Sequence, residues 1–291
     1  MPFCSLPCIN FKKFYHLVVK HIFGPVPSRR LGISLGIDLV PYKTCNLDCV
    51  YCEAGKTQYK TMERKPYVSV DTIMYELQAH FLNPNPKIDY FTLSGAGEPT
   101  LNQDIEIIIG AIKKEFPSYP LALITNGTLF SDPVVRAQVS KVDVILPSFD
   151  AASLHTFNLI NRPEPSLDFN TIVQGFIDLR DEFTGKIWVE IFVIPGLNDE
   201  LSELQSMKNA LIKIRPDIVH LNSLDRPSSE SWVRIEPLSR LEQICEFFQP
   251  LPCKILAKMV PTKKLARIER EEHTKEIQNH IQDLQEIPNN L

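Results

Sequence analysis

The chain lacks any run approaching the ~18 consecutive apolar residues of a membrane-crossing helix. Its 44% hydrophobic content is therefore expected to build the core of a soluble, cytoplasmic protein. It also lacks the excess of Lys and Arg found in dedicated nucleic-acid binders, because the net charge is −4 and the pI is about 6.0. Local basic patches stay open. The 7 cysteines are an odd count, which argues against a framework made only of disulfides. The first 23 residues lack the unbroken apolar stretch of a secretion signal, since Lys12 and Lys13 interrupt Phe11, Phe14, Tyr15 and Leu17.

What the sequence does contain is a cluster of three cysteines, Cys45, Cys49 and Cys52, within nine residues of Lys43. Cysteine thiolates are the usual ligands of iron-sulfur clusters, and a cubane 4Fe-4S cluster takes four of them, one per iron. Three local thiolates leave one iron with an open position, which is what a metal needs to bind a small molecule. CxxC alone also serves zinc sites and thioredoxin-like pairs. A zinc site would need a further ligand, yet His80 and His155 stand alone and Cys245 and Cys253 are distant in sequence. A thioredoxin-like pair would leave Cys45 surplus.

Periodicity places these cysteines in a repeating strand-helix chain. Strands are expected at 34–40, 88–93, 121–124, 142–146, 187–194 and 218–221, with helices at 70–82, 104–116, 133–139, 169–183 and 200–214. Such alternation predicts βαβ units and a parallel sheet, closed as a barrel or open and doubly wound. Polar or glycine-bearing segments follow the strands at 45–52, 95–98, 125–127, 148–150, 196–199 and 222–226. Both architectures bring such segments to one face. Ser148 and Asp150 share a side of an extended stretch, where they suit ribose hydroxyls; Asp150 equally suits a helix cap.

The CxxxCxxC spacing with Tyr51 before the last cysteine resembles the signature of the radical S-adenosylmethionine superfamily. The wider run through Gly24, Pro25, Arg29, Arg30, Ser34, Asp38 and Lys43 is similar to one branch of it, described as iron-sulfur oxidoreductases and grouped with wybutosine-type tRNA-modifying enzymes. The resemblance covers residues 24 to about 225. It implies an α/β fold, a partial (β/α)6 TIM-like barrel, with Cys45, Cys49 and Cys52 as ligands of a 4Fe-4S cluster. It further implies S-adenosylmethionine beside Tyr51, Ala96, Gly97, Glu98, Asn126, Ser148, Asp150 and Ile194, with Ala96 standing where the family has Gly. The implied reaction is reductive cleavage of S-adenosylmethionine to a 5'-deoxyadenosyl radical that abstracts hydrogen from a substrate. A reducing partner such as a flavodoxin or ferredoxin follows from the same resemblance.

The substrate stays open among RNA, protein and small molecules. Lys254, Lys258, Lys263, Lys264, Arg267 and Arg270 form a basic stretch, but Glu269, Glu271, Glu272 and Glu276 adjoin it, and a solvated helix over 263–284 accounts for the mixture. Wybutosine-type enzymes use a second cluster held by three more cysteines, for which only Cys4 and Cys8 lie upstream. A non-catalytic iron-sulfur electron-transfer protein is the reading from another class. Arg29 and Arg30 are candidates for an anion or equally for a solvated surface pair, and Asp225 and Arg226 for pairing with each other. The chain divides into an extension at 1–23, a core at 24–250, and a strand with a charged helical tail at 251–291.

Overall fold

The computed structural model describes residues 21–82 and 87–256. Cys4, Cys8 and the charged segment at 263–284 lie outside the described residues. The chain opens with β1 (Ile22–Ser28), antiparallel to β2 (Gly32–Ile37). The short strands β3 (Thr44–Cys45) and β4 (Tyr59–Lys60) then pair in parallel around the cysteine loop. Beyond them come α1 (Val70–Phe81), β5 (Tyr90–Leu93), α2 (Ile105–Glu115), β6 (Leu121–Thr125), α3 (Pro133–Gln138) and β7 (Val144–Pro147). Two helices follow, α4 (Leu154–Asn161) and α5 (Phe169–Glu182), and then β8 (Lys186–Phe192), α6 (Leu201–Ile214), β9 (Ile218–Asn222), α7 (Leu238–Phe247) and β10 (Cys253–Ile255).

Local chemistry sets several of these boundaries. Ser69 caps α1 by accepting from the Thr72 N–H, Ser153 caps α4 through Thr156, and Asp168 caps α5 through Thr171. In α2 the buried residues Ile105, Ile108, Ile109 and Ile112 fall at helical spacing on one face.

The eight-stranded sheet runs β1-β2-β5-β6-β7-β8-β9-β10. From β2 onward every pairing in it is parallel, and the spatial order follows the chain order without reversal. A doubly wound sheet reverses its order at a switch point. Its absence identifies a curling, partial barrel, six strand-helix strands with β10 added as a seventh parallel strand. Arg29 Nη1 donates to the Leu256 carbonyl at 2.9 Å, so the turn before β2 reaches the far edge strand across the opening.

Strand alternation divides the interior. Leu35, Phe91, Leu123, Ile145, Val189 and Leu221 join the apolar layer beneath the helices. Leu31 packs with Ala122, Val144, Leu146 and Trp188 in a separate cluster lining the barrel, so the β1–β2 turn fills its floor. The Arg30 guanidinium bonds to Glu190 on β8 beside that plug. Both arginines thus tie the β1–β2 turn to strands on the far side of the sheet.

Candidate active site

The cysteine loop leaves β2 at the carboxyl face of the sheet and is fastened to each neighbouring strand-end segment. The Lys43 N–H donates to Ala96 O at 3.2 Å, and the Glu98 N–H to Thr44 O at 3.0 Å, joining the loop to the turn after β5. Asn126, after β6, donates to Asn46 Oδ1 at 2.7 Å. The Asp48 and Val50 N–H groups donate to the carbonyls of Asn161 and Ile160 at the end of α4. Four segments distant in sequence therefore meet around the three thiols.

Each thiol sulfur has a side-chain nitrogen donor. Lys43 Nζ lies 3.1 Å from Cys52 Sγ, Asn161 Nδ2 lies 3.4 Å from Cys49 Sγ, and Asn126 Nδ2 lies 3.7 Å from Cys45 Sγ. The sequence gives Lys43 no role beyond membership of the motif run and gives Asn161 none. Asn161 sits 112 positions from Cys49, and only the packing of α4 on the loop brings it there. Burial, reinforced by Glu98, pushes the Cys45 thiol up to about 12, and burial with Asp150 raises Cys49. Buried thiols of this kind ionise when a metal supplies the compensating positive charge.

Asp150 is the second focus. Its carboxylate accepts from the Tyr51 hydroxyl at 2.5 Å, Asn161 Nδ2 at 2.9 Å and the Phe192 N–H at 2.9 Å. Burial raises it to about 6 despite those three donors. Ser153 rather than Asp150 caps α4, so the cap reading is replaced by this hub role. Phe149 points away into the helix layer, against Phe176. Ser148, Asp150, Asn126 and Asn161 line a small cavity closed by Leu47 and Phe176.

Glu98 is also consumed by its surroundings. Oε1 accepts from the Thr100 N–H, the Thr100 hydroxyl and the Thr125 hydroxyl, and Oε2 accepts from the Asn126 N–H. Burial raises its carboxyl above the usual range. Gly97 backs directly onto the cysteine loop, where a Cβ would stand 2.2 Å from Thr44 O. Ala96 lies outside the left-handed backbone region, so the methyl in place of the family's glycine is unstrained. Ile194 is fully buried in a cluster with Val50, Ile160 and Phe192, against which Tyr51 packs. The structure thus brings together Tyr51, Glu98, Asn126, Ser148 and Asp150 around the cysteine loop, and Ile194 belongs to the apolar cluster against which Tyr51 packs. Arg226 bonds to Glu53 at 3.4 Å, beside Cys52.

The donor set fits a cubane cluster. None of the five described cysteines forms a disulfide, and Cys245 and Cys253 neighbour each other on α7 and β10. That leaves Cys45, Cys49 and Cys52. Three cysteines of one loop, each beside a nitrogen donor, match the thiolate ligands a cubane takes, one per iron.

A parallel partial barrel carrying a three-thiol loop at its carboxyl face defines the class of α/β-barrel proteins with a candidate site on that loop. Comparison with known proteins makes the assignment specific. The Radical SAM superfamily matches residues 39–206, and the chain belongs to that superfamily. It is 36% identical over 210 residues to a UPF0026 protein of Helicobacter pylori, covering 72% of this chain and 67% of that one. It is 39% identical over 233 residues to a Brachyspira hyodysenteriae protein named GTPase Obg, covering 80% of this chain but only 34% of that one.

Two solved structures share the fold. A radical SAM methyltransferase from Sphaerobacter thermophilus superposes with TM-score 0.59 at 13% identity, covering 77% of this chain and 66% of that one. TYW1 with a lysine-pyruvate adduct bound superposes with TM-score 0.52 at 16% identity, covering 74% and 72%. Among the described residues no helix is long and apolar enough to cross a membrane.

Proposed function

We propose that the chain binds a 4Fe-4S cluster through Cys45, Cys49 and Cys52 and S-adenosylmethionine above it, and abstracts hydrogen from an organic substrate. The observation that carries this is the set of three thiols, each met by its own nitrogen donor, on one loop at the barrel's carboxyl face. When bound, the cluster and S-adenosylmethionine supply a 5'-deoxyadenosyl radical by one-electron cleavage of a carbon–sulfur bond. The chain's part is placement and exclusion of water. Tyr51, wedged on Phe192 and bonded to Asp150, fixes the end of the cysteine loop. Ala96 and Gly97 offer backbone atoms to the methionyl group, while the Glu98 side chain braces that turn. Asn126, Ser148, Asp150 and Ile194 border the nucleoside, and Asp150 holds its position through three donors.

A flavodoxin or ferredoxin supplies the electron in this reading. A wybutosine-type reaction would call for three more cluster cysteines, and besides Cys245 and Cys253, which lie on α7 and β10, the sequence offers Cys4 and Cys8. The reading without a second cluster is therefore preferred.

The test is anaerobic reconstitution with dithionite and S-adenosylmethionine. About four irons per chain and release of 5'-deoxyadenosine are expected, with C49A abolishing both. Zinc in place of iron overturns the proposal. A fully loaded cluster that releases no nucleoside favours an electron-transfer protein instead.

A further inference from the structure

Lys43 is 2% exposed, and its backbone adopts φ 57°, a conformation rare outside glycine. Three hydrogen bonds hold it there. Its N–H donates to Ala96 O, and its carbonyl accepts from the Gln58 and Tyr59 N–H groups at 3.2 and 3.1 Å. The side chain turns inward, and among the described residues the partner of Nζ is Cys52 Sγ at 3.1 Å.

Burying an ammonium against a neutral thiol is costly, because the lost hydration is not returned by an opposite charge. Burying it against an iron-bound thiolate is a charge-assisted hydrogen bond, about twice as strong as a neutral one. The nitrogen donors at Cys45 and Cys49 are neutral amides, and Asn126 Nδ2 is shared with Asn46 while Asn161 Nδ2 is shared with Asp150. Lys43 thus places a cation at one of the three sulfurs.

Resting on the cluster reading above, we infer that Lys43 is a positioning residue that sets the cluster's reduction potential through Cys52. Reduction adds one electron to the cluster, and a fixed positive charge at a ligand sulfur favours the more negative, reduced form. Lys43 should therefore raise the potential and ease electron uptake from the reducing partner.

The experiment is an anaerobic redox titration of the reconstituted full chain, followed by electron paramagnetic resonance and by iron per chain. In K43Q the ratio of reduced to oxidised cluster at a fixed solution potential should fall about tenfold, equal to about 59 mV for a one-electron couple. K43M should fall with it, and K43R, which keeps the charge, should titrate near the unsubstituted protein. A loaded K43Q or K43M with an unchanged potential overturns the inference. Failure of both to take up iron overturns it too, by showing that Lys43 only builds the loop. A wild-type chain that takes up no cluster is a distinct result and removes the underlying reading instead.

Discussion

The Tyr51 hydroxyl donates to Asp150 Oδ2 at 2.5 Å, tying the residue before Cys52 to the segment after β7, 99 positions along the chain. The ring completes the brace by stacking on Phe192, with centroids 4.1 Å apart and planes 7° apart. Y51F keeps the stack and deletes the bond. Asp150 keeps Asn161 and the Phe192 N–H, so the loss should be about 1.5–3 kcal/mol, the range for a hydrogen bond to a charged partner. Urea denaturation of metal-free protein measures it. An unchanged midpoint would show that the hydroxyl does not anchor the loop.

Glu98 makes a sharper case, because two of its four donors are backbone N–H groups on different segments, Thr100 and Asn126. A glutamine carries one carbonyl oxygen, so E98Q turns an amide NH2 toward one of those N–H groups. The expected cost is about 1–3 kcal/mol, seen as a lower Tm for the chain without cluster or S-adenosylmethionine. A side chain whose purpose is contact with the cofactor would leave that Tm unchanged.

Much of this site is legible in the sequence because local rules govern it. Cysteine spacing marks the loop, and polar clusters after apolar runs mark the carboxyl ends of the strands. Periodicity does not decide for a barrel, which the family resemblance implies and the order of strand pairing shows. β1 escapes notice because Gly24, Pro25 and Pro27 read as strand breakers, and they are tolerated where a strand lies at a sheet edge. Asn161 and Lys43 are hidden for another reason: nothing in their own neighbourhoods says that a helix end or an inward-turned side chain will face a sulfur. Arg29 and Arg30 look like anion ligands or a solvated surface pair in sequence, and only the tertiary fold gives them a carbonyl and Glu190 as partners.

Gly97 is required for space rather than for torsion, since its φ is not left-handed. In G97A the added methyl would meet Thr44 O at 2.2 Å and Val40 Cγ2 at 2.5 Å, and the backbone oxygen cannot yield without moving the residue next to Cys45. Overpacking of this kind costs about 1–3 kcal/mol. The variant should therefore melt lower and hold less iron per chain after reconstitution. Full iron content with an unchanged Tm would show that the loop and the turn after β5 are not rigidly matched.

His220 lies on the barrel face of β9, 3% exposed, with Nδ1 unpartnered and Trp188 in edge contact at 5.8 Å. Burial, then the positive charges of Arg30 and Lys254, lowers it from 6.5 to about 4. Glu190, its register partner on β8, is already engaged by Arg30 and Asn222. Between those two values the unfolded chain takes up a proton that the folded chain refuses, so stability falls as pH drops from about 6.5 and the loss is complete near pH 4. The ceiling is roughly 3 kcal/mol. H220Q cannot titrate, so the stability difference between wild type and variant isolates this group from every other carboxyl and imidazole. In urea denaturation of metal-free protein, wild type should lose ground to H220Q steadily across that window. A difference independent of pH would mean that the folded barrel holds His220 with an ordinary proton affinity, and that its charge is met by a partner inside the barrel.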